Sequence, residues 1–547
     1  MTAPSSGWNL ADMFDAVAAT VPADRPAIVH EGGVVRWGEL DARSNRLARQ
    51  LIAAGHVPGE RVAFLSRNHP GYIEGFIACL KARLIHVNIN YRYTVDEIAG
   101  VLEDAGCTAI LYHVEFAPQV AQLQQRLGTL RSRVAMGGPA DGPATASLDA
   151  LASAGDASRL DIVRSDDDPL LLYTGGTTGR PKGVVWPGTR YRACQLEFPL
   201  ITRKPANLQE HLEIVRASNG AGKVLPACPL MHGAGLSSTL SELLGGGTAL
   251  LLPGGSFDPH VLWALAERES ASRILIVGDV FARPMLRALD EQPGRYRLDA
   301  LRIISSAGLM WSQEVKEGLF RHLPSVVLAD ICGASEASGL GYAISTRDNI
   351  LPTGRFHPGP HTVLLDENDH VLPAGQPGEG WLARGGPLPE GYFRDARKTA
   401  EVFRVIDGVR YSVPGDWARR NEDGTLQLMG RGSLVINSGG EKIYVEEVEE
   451  ALKRWASVDD AMVIGLPDPR WGQVICALVT LRPGMPLDPD GLRQDLGRHL
   501  AGYKLPRHVW PVDALPRADS GKGDYRAART VAAECLACAN TTDPAPT

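Results

Sequence analysis

A loop rich in glycine and threonine joins two apolar runs in the segment LLYTGGTTGRPKGVVW, residues 171–186. Backbone N–H groups and hydroxyls in such a loop can approach an anion closely, because glycine has no Cβ and accepts positive φ angles. Lys182 adds a mobile positive charge suited to phosphate. The segment therefore predicts a phosphate-binding loop. Its candidate contact residues are Thr174, Gly175, Gly176, Thr177, Thr178, Gly179 and Lys182.

Two common phosphate-binding motifs do not fit this loop. A Walker A loop requires G-x4-G-K-[ST] between a strand and a helix, whereas Gly183 follows the lysine here and the next residues, VVW, have a strand pattern. The dinucleotide fingerprint G-x-G-x-x-G, which opens a helix, does not match either. Taken alone, the segment leaves a glycine-rich hairpin turn as an alternative.

Six motifs in one order resemble those of the acyl-adenylate-forming superfamily, which includes acyl-CoA synthetases, luciferases and the adenylation domains of peptide synthetases. After the phosphate loop these are PLMHGAG (229–235), DICGASE (330–336), YSVPGD (411–416), GRGSLVINSGGEKIY (from 430) and PRADSGKGDYR (516–526). In that family a carboxylate attacks the α-phosphorus of ATP and expels pyrophosphate, and the thiol of CoA then displaces AMP. The resemblance implies ATP, Mg²⁺ and coenzyme A as cofactors.

The resemblance assigns the nucleotide site to residues of the middle motifs. Glu336 is implied as a ligand of Mg²⁺, which prefers hard oxygen donors. Asp416 is implied to accept both ribose hydroxyls, with Arg431 beside it. The residues implied to frame adenine and the α-phosphate are Ser306, Ala307, Gly308, Asp330, Ile331, Cys332, Gly333, Ala334 and Ser335.

The remaining roles concern the reacting groups. Lys522 is implied to bridge the substrate carboxylate and the α-phosphate in the first step. His232 is implied to stand between the acyl pocket and the pantetheine tunnel. Gly439, Gly440 and Lys442 are implied to line that tunnel after a hinge at Ser433, a position where many relatives carry Asp or Lys.

The acid is predicted to be bulky and apolar, with a steroid-like or diterpenoid-like skeleton. The segments VNINYRYT, VGDVFARPMLRALD and GRGSLVINSGGEKIY resemble those of actinobacterial ligases for steroid side-chain and isoprenoid acids. A medium-chain or long-chain fatty acid is the alternative substrate. Cys332 replaces an aromatic residue that stacks on adenine in relatives, so a ligase that only thioesterifies a preformed acyl-adenylate stays open. A carrier-protein thiol or an amine as acceptor stays open as well.

Alternating helix and strand patterns predict the elements that position these residues. LADMFDAVAATV and ELDARSNRLARQLIAAG have helical spacing of apolar residues, and RVAFLS and IHVNIN read as buried strands. We predict an α/β fold with a large N-terminal domain of stacked mixed or parallel sheets with helices at 1–431. A β-rich subdomain is expected at about 355–431, and a small mobile α+β domain at 432–547.

Composition excludes several classes of protein. The 547 residues carry a net charge of −7, and a nucleic-acid-binding protein usually shows a basic excess. The N-terminus lacks a basic segment followed by an apolar run, and no apolar stretch reaches the length of a membrane span. Eight cysteines scattered along the chain indicate reduced thiols and a cytoplasmic enzyme. A homodimer is a further expectation.

Overall fold

The computed structural model describes residues 8–174, 181–431, 435–438, 441–468, 472–500, 502–517 and 523–542. The chain divides into two compact units. The first comprises Met1–Leu351, Gly359–Thr362 and Ala383–Val413, and the second comprises Pro352–Pro358, Val363–Leu382 and Pro414–Thr547.

Thirteen described α-helices belong to the first unit and three to the second. They are α1 Leu10–Ala18, α2 Trp37–Ala53, α3 Pro70–Lys81, α4 Val95–Ala105, α5 Ala117–Arg126, α6 Leu148–Ser153, α7 Gly188–Leu196, α8 Leu208–Ser218, α9 Gly233–Leu244, α10 Pro259–Arg268, α11 Gly278–Glu291, α12 Gln313–His322, α13 Ala396–Val402, α14 Val445–Lys453, α15 Pro489–His499 and α16 Tyr525–Thr542. None of these helices is both long enough and apolar enough to span a bilayer.

The described strands are numbered in chain order. They are β1 Pro26–His30, β2 Gly33–Arg36, β3 Arg61–Leu65, β4 Ile85–Asn88, β5 Cys107–His113, β6 Ser132–Met136, β7 Ala146–Ser147, β8 Pro169–Thr174, β9 Lys182–Pro187, β10 Lys223–Pro226, β11 Thr248–Leu250, β12 Arg273–Ile276, β13 Ile303–Ala307, β14 Val327–Ala334, β15 Ala337–Ser345, β16 Arg355–Pro358, β17 Thr362–Leu365, β18 Gly378–Arg384, β19 Gly391–Tyr392, β20 Phe403–Ile406, β21 Val409–Ser412, β22 Asp416–Arg420, β23 Leu426–Arg431, β24 Val435–Ser438, β25 Glu441–Tyr444, β26 Val458–Asp468, β27 Gly472–Leu481 and β28 His508–Pro511.

Two largely parallel arrays of strands form the first unit. One has the order β19-β9-β8-β4-β3-β5-β6-β7, in which only the pairs that involve β9 are antiparallel. The other has the order β2-β1-β11-β10-β12-β13-β14-β15, with antiparallel pairs at its two ends. Parallel neighbours connected by helices bury both faces of a sheet, and the buried tryptophans Trp37, Trp186, Trp263 and Trp311 belong to this unit.

The second unit is smaller and richer in antiparallel pairs. The strands β16-β23-β22-β18 run antiparallel, and β25-β24-β27-β26 form a further sheet with β28 parallel to β27. Helix α14 packs on the latter sheet through Val448 and Leu452. The mixed α/β class with a small C-terminal α+β part is therefore confirmed.

Most predicted elements occur, although one boundary is wrong. The helix predicted over residues 10–21 ends at Ala18. The residues that follow include β-branched Thr20 and Val21 just before Pro22, and a residue that precedes proline is disfavoured in helical conformation. Asn9 caps the start of this helix by accepting from the backbone N–H of Ala11 at 2.9 Å.

Candidate active site

The phosphate loop begins and ends on two paired strands. Thr174 is the last residue of β8 and Lys182 the first of β9, and the two lie opposite each other in antiparallel register. The loop therefore leaves the carboxyl end of β8, the edge at which ligands bind in open α/β sheets. The other candidate loop residues, Gly175, Gly176, Thr177, Thr178 and Gly179, lie outside the described residues.

Asn88 ties the end of β8 to the segment that carries His232. Its side-chain amide nitrogen donates to the carbonyl oxygens of Tyr173 and Met231, both at 2.8 Å, and its oxygen accepts from Tyr173 N–H at 2.8 Å. A buried amide with three partners fixes both backbone segments. The candidate phosphate and acyl motifs are therefore neighbours in space.

His232 precedes α9 on an extended backbone and is half-buried. The turn at residues 229–235 requires glycine at position 235, because a Cβ there would lie 2.5 Å from the carbonyl oxygen of Pro229. Asn68 also holds this turn in place, since its side-chain oxygen accepts from Leu230 N–H at 2.7 Å. The sequence PLMHGAG thus folds into a rigid turn that presents His232 at a helix start.

Glu336 lies beside the same strand that carries Lys182. Tyr392 Oη donates to Glu336 Oε1 at 2.5 Å, and Trp186 Nε1 donates to the carbonyl oxygen of Ser335 at 2.8 Å. Tyr392 is held there because β19 pairs with β9, with Tyr392 opposite Val184. The implied metal ligand and the implied phosphate lysine therefore share one small region of the first unit.

Lys182 forms an ion pair with Asp395 in this structure. Both side chains are partly exposed, 39% for Lys182 and 28% for Asp395. The hydrogen bond from Lys182 holds the pKa of the Asp395 carboxyl below its usual range, helped by the backbone N–H of Lys398. The ammonium of Lys182 is therefore already paired with one carboxylate in this structure.

Tyr392 and Asp395 are site residues that sequence reasoning did not find. The available signal was the segment GYFRD, where Asp395 precedes a helix and accepts from its first turn at Lys398 N–H, 2.8 Å away. That pattern indicates a helix cap. It carries no information about Lys182, which lies 213 residues earlier in the chain.

The residues implied to frame adenine come together at adjacent strand ends. In the parallel pair β13–β14, Ser306 lies opposite Asp330 and Ala307 opposite Ile331. Gly308 follows with φ +98°, a conformation that favours glycine. The hydroxyl of Ser306 accepts from Gly278 N–H at 2.9 Å, which uses one of its two acceptor sites within the protein.

The other residues of that set continue along β14 and the turn after it, from Cys332 and Gly333 to Ala334 and Ser335. Cys332 is half-buried and lies opposite Gly341 of β15. A short side chain at this position presents little surface for stacking.

The carboxylate of Asp330 forms a buried ion pair. Lys316 Nζ donates to Asp330 Oδ2 at 3.2 Å, and each side chain is less than 5% exposed. Burial raises the pKa of Asp330 to about 6, although the ammonium of Lys316 opposes this rise. Lys316 also lies 5.3 Å from the ring centre of Trp311. One carboxylate oxygen is thus committed to Lys316, a partner that sequence reasoning did not identify.

The implied ribose residues are brought together within the second unit. Asp416 opens β22 and lies opposite Arg431, the last residue of β23. Gly415 precedes Asp416 with φ +97°. Asp416 is half-buried. Asp416 and Arg431 are therefore direct neighbours on paired strands.

The implied tunnel and lysine segments are described only in part. Lys442 lies opposite Asn437 in the pair β24–β25, while Gly439 and Gly440 lie outside the described residues. Lys522 and Ser433 also lie outside them.

No cluster of three or more His, Cys, Asp and Glu side chains in the described part of the chain is arranged to hold a metal ion by itself. Glu336 is a single hard oxygen donor, and Mg²⁺ is commonly held by one or two carboxylates together with substrate phosphates and water. The donor set therefore fits a magnesium ion that arrives with a nucleotide.

The chain is similar to known proteins along nearly its whole length. Residues 14–393 match the model of the AMP-binding enzyme family, and residues 447–522 match the AMP-binding enzyme C-terminal domain. The chain is 35% identical over 533 residues to the 3-oxocholest-4-en-26-oate–CoA ligase of Rhodococcus rhodochrous, covering 95% of each chain. It is 36% identical over 553 residues to the medium-chain acyl-CoA ligase Mig of Mycobacterium avium, covering 97% and 99%.

The fold also resembles a solved structure. The amide bond synthetase McbA from Marinactinospora thermotolerans superposes with a TM-score of 0.79 at 24% identity, covering 95% of this chain and 99% of that one.

Proposed function

This chain belongs to the AMP-binding enzyme family as an AMP-forming acyl-CoA synthetase, and we propose that its acid substrate is bulky and apolar. The reaction consumes a carboxylic acid, ATP and CoA and yields acyl-CoA, AMP and pyrophosphate. The observation that supports this reaction is the convergence of Lys182 and Glu336 around β9. The chain is also similar to steroid-acid and fatty-acid ligases along nearly its whole length.

In the first step, the base of the phosphate loop at Thr174 and Lys182 binds the β- and γ-phosphates. Lys182 exchanges Asp395 for phosphate oxygen, so one anion replaces another. Glu336, oriented by Tyr392, holds Mg²⁺, which supplies positive charge to the phosphates when it is bound. The substrate carboxylate attacks the α-phosphorus and pyrophosphate leaves. The charge of Lys522 stabilises the transition state, in which negative charge builds up on the α-phosphate oxygens.

In the second step, the CoA thiol attacks the acyl carbonyl and AMP leaves. We assign Gly439, Gly440 and Lys442 to the path of the pantetheine arm and His232 to the point where that path meets the acyl pocket. The residues proposed for both steps, Lys522 and the tunnel glycines, belong to one C-terminal domain, which we place at 432–547. That domain must present different segments in the two steps.

The acid is inferred from small residues on the candidate acyl walls and from the relatives. A Cβ on Gly235 would lie 2.5 Å from the carbonyl oxygen of Pro229, and one on Gly339 would lie 2.2 Å from Tyr342 Oη, so protein atoms fill those spaces. Gly308 leaves space, since a Cβ there would meet Val277 Cγ1 only at 3.7 Å. The Rhodococcus rhodochrous relative is a 3-oxocholest-4-en-26-oate–CoA ligase, so its acid is a steroid. A steroid-like or diterpenoid-like acid is therefore preferred over a medium-chain or long-chain fatty acid.

A panel of acids tests this proposal. Steroid, diterpenoid and fatty acids are supplied with ATP, Mg²⁺ and CoA, and pyrophosphate release and acyl-CoA mass are followed. The proposal requires both products with the polycyclic acids at higher kcat/KM than with fatty acids. A preference for fatty acids shows that the proposed substrate class is wrong, while the proposed reaction still stands.

A second candidate function is thioesterification of a preformed acyl-adenylate. The observation that favours it is Cys332, which offers little surface for stacking on adenine. Synthetic acyl-adenylate with CoA, run beside the complete reaction, separates the two functions. Product from the adenylate alone, with no pyrophosphate from free acid, supports the second candidate.

A further inference from the structure

Helix α9 has two faces with different side chains. Leu236, Leu240 and Leu243 are at most 3% exposed and pack in the hydrophobic core of the first unit. The opposite face carries four small residues at the spacing i, i+3, i+4 and i+7, which makes them neighbours along one side of a helix. They are Ala234, Ser237, Ser238 and Ser241, and each is half-buried. These four residues form the small-residue face of α9, and their short side chains leave space beside the helix.

Arg192 of helix α7 lies at the far end of the small-residue face. Its Nη1 contacts Ser241 Oγ at 3.5 Å and donates to Gln195 Oε1 at 3.1 Å. The amide nitrogen of Gln195 in turn donates to Ser237 Oγ at 3.0 Å. Two polar side chains of α7 therefore border the small-residue face between Ser237 and Ser241.

The guanidinium of Arg192 is a buried cation without a carboxylate partner among the described residues. Arg192 is 5% exposed, and its Nε is buried with no hydrogen-bond partner. Burial lowers the pKa of Arg192 to about 10, and no neighbouring acid opposes that shift. The same positive charge helps burial to lower the pKa of His211 to about 4. A buried ion without a partner is costly, so a bound oxygen acceptor would offset a cost that the protein alone leaves.

The length of α9 separates Arg192 from the reacting end of the acid. His232, which we assign to the point where the CoA path meets the acyl pocket, immediately precedes α9. Ser241 follows His232 by nine residues, and a rise of 1.5 Å per residue places it about 13.5 Å further along the helix axis. A rigid acid that starts at His232 and follows the small-residue face therefore brings its other end to Arg192.

We propose that Arg192 recognises an oxygen acceptor at the end of the acid remote from the reacting carboxyl, either an oxo group or a second carboxylate. The guanidinium donates to this oxygen, and hydrogen bonds from a charged donor are stronger than those between neutral groups. The small-residue face provides the space for the skeleton between the two ends. The inference deepens the proposed function and rests on its placement of the acid beside His232.

Paired acids test this inference on the wild-type chain. One pair is a tetracyclic acid with an oxo group on the ring farthest from the carboxyl, and the same acid without that oxygen. The other pair is a linear acid with and without a second, terminal carboxyl. Acid-dependent pyrophosphate release gives kcat/KM for each acid. We expect the oxygenated member of a pair to be preferred by about ten- to a hundredfold.

Equal kcat/KM values within both pairs overturn the inference. A preference confined to the linear pair supports the role of Arg192 and shows instead that the proposed steroid-like acid is wrong. The two failures are therefore distinguishable, and this comparison does not depend on the stability of any variant.

Arg192→Met tests the residue itself, because it removes the charge and keeps a long side chain. We expect kcat/KM for the oxygenated acid to fall by about ten- to a hundredfold, with the acid that lacks this oxygen within about twofold of wild type. Arg190→Met is the matched control, since Arg190 is an exposed arginine of the same helix. An unchanged preference in Arg192→Met overturns the inference. An equal fall with both acids also overturns it, because that result indicates a general disturbance of α7.

Discussion

Replacing Tyr392 by phenylalanine is expected to weaken the use of magnesium by this enzyme. The substitution removes the hydroxyl that donates to Glu336 Oε1 at 2.5 Å and leaves the aromatic ring in place. Glu336 is the only residue that we assign to Mg²⁺. An unfixed carboxylate must lose rotational freedom each time that it binds the ion.

The expected magnitude follows from the contact. A hydrogen bond to a charged group contributes roughly 1.5–3 kcal/mol. Because both residues are only half-buried, we take the lower end of this range, which corresponds to about a tenfold change in an equilibrium constant. The concentration of Mg²⁺ that gives half-maximal adenylation is therefore expected to rise about tenfold.

The assay is pyrophosphate release at saturating ATP and acid, titrated with Mg²⁺. Tyr296→Phe is the matched control, since it removes a half-buried phenolic hydroxyl that bonds His260 Nδ1 at 2.9 Å in another part of the first unit. An unchanged magnesium requirement in Tyr392→Phe refutes the assignment of Glu336. So does the same shift in Tyr296→Phe.

Three further predictions concern other residues. Asp330→Asn leaves the ammonium of Lys316 buried without its carboxylate, which lowers the free energy of unfolding by about 3–5 kcal/mol. The thermal midpoint of the first unit should therefore fall, and an unchanged midpoint contradicts this prediction. Cys332→Tyr places an aromatic ring where adenine is expected. Stacking of about 0.5–1.5 kcal/mol should lower KM for ATP by roughly two- to tenfold. An unchanged KM for ATP argues against adenine at this site. Burial raises the pKa of Glu449 to about 7 from 4.5, so the folded chain binds this proton more tightly than the unfolded chain and stability falls as pH rises between these values. Denaturant titrations across pH should show a flatter profile in Glu449→Gln, and an unaltered profile contradicts the shift.

Local patterns predicted the elements well. Apolar spacing in ELDARSNRLARQLIAAG corresponds to the buried face of α2 at Leu40, Leu47 and Leu51, and the strands on both sides of the phosphate loop occur as β8 and β9. These signals come from residues close in the chain, where periodicity reflects burial directly. Cross-strand neighbours such as Asp416 and Arg431 were also named, because their motifs were recognised.

Contacts between distant residues could not be predicted. Tyr392 and Glu336 are separated by 56 residues, and Lys182 and Asp395 by 213. A tyrosine or an aspartate in a short polar segment is usually solvated, and only strand pairing between β19 and β9 brings these two to the site. The carboxylate of Asp330 has an unpredicted partner as well. Its motif predicts a nucleotide contact, and one of its oxygens also accepts from Lys316, which the motif does not indicate.

The central claim is that one chain joins a free acid to CoA through an acyl-adenylate. The most direct test supplies an acid labelled with ¹⁸O in both carboxylate oxygens, together with ATP, Mg²⁺ and CoA, and analyses the products by mass spectrometry. Attack on the α-phosphorus predicts that one labelled oxygen leaves in AMP and the other stays in the thioester carbonyl. Unlabelled AMP alongside acyl-CoA, or no turnover of the free acid while synthetic acyl-adenylate reacts, contradicts the account.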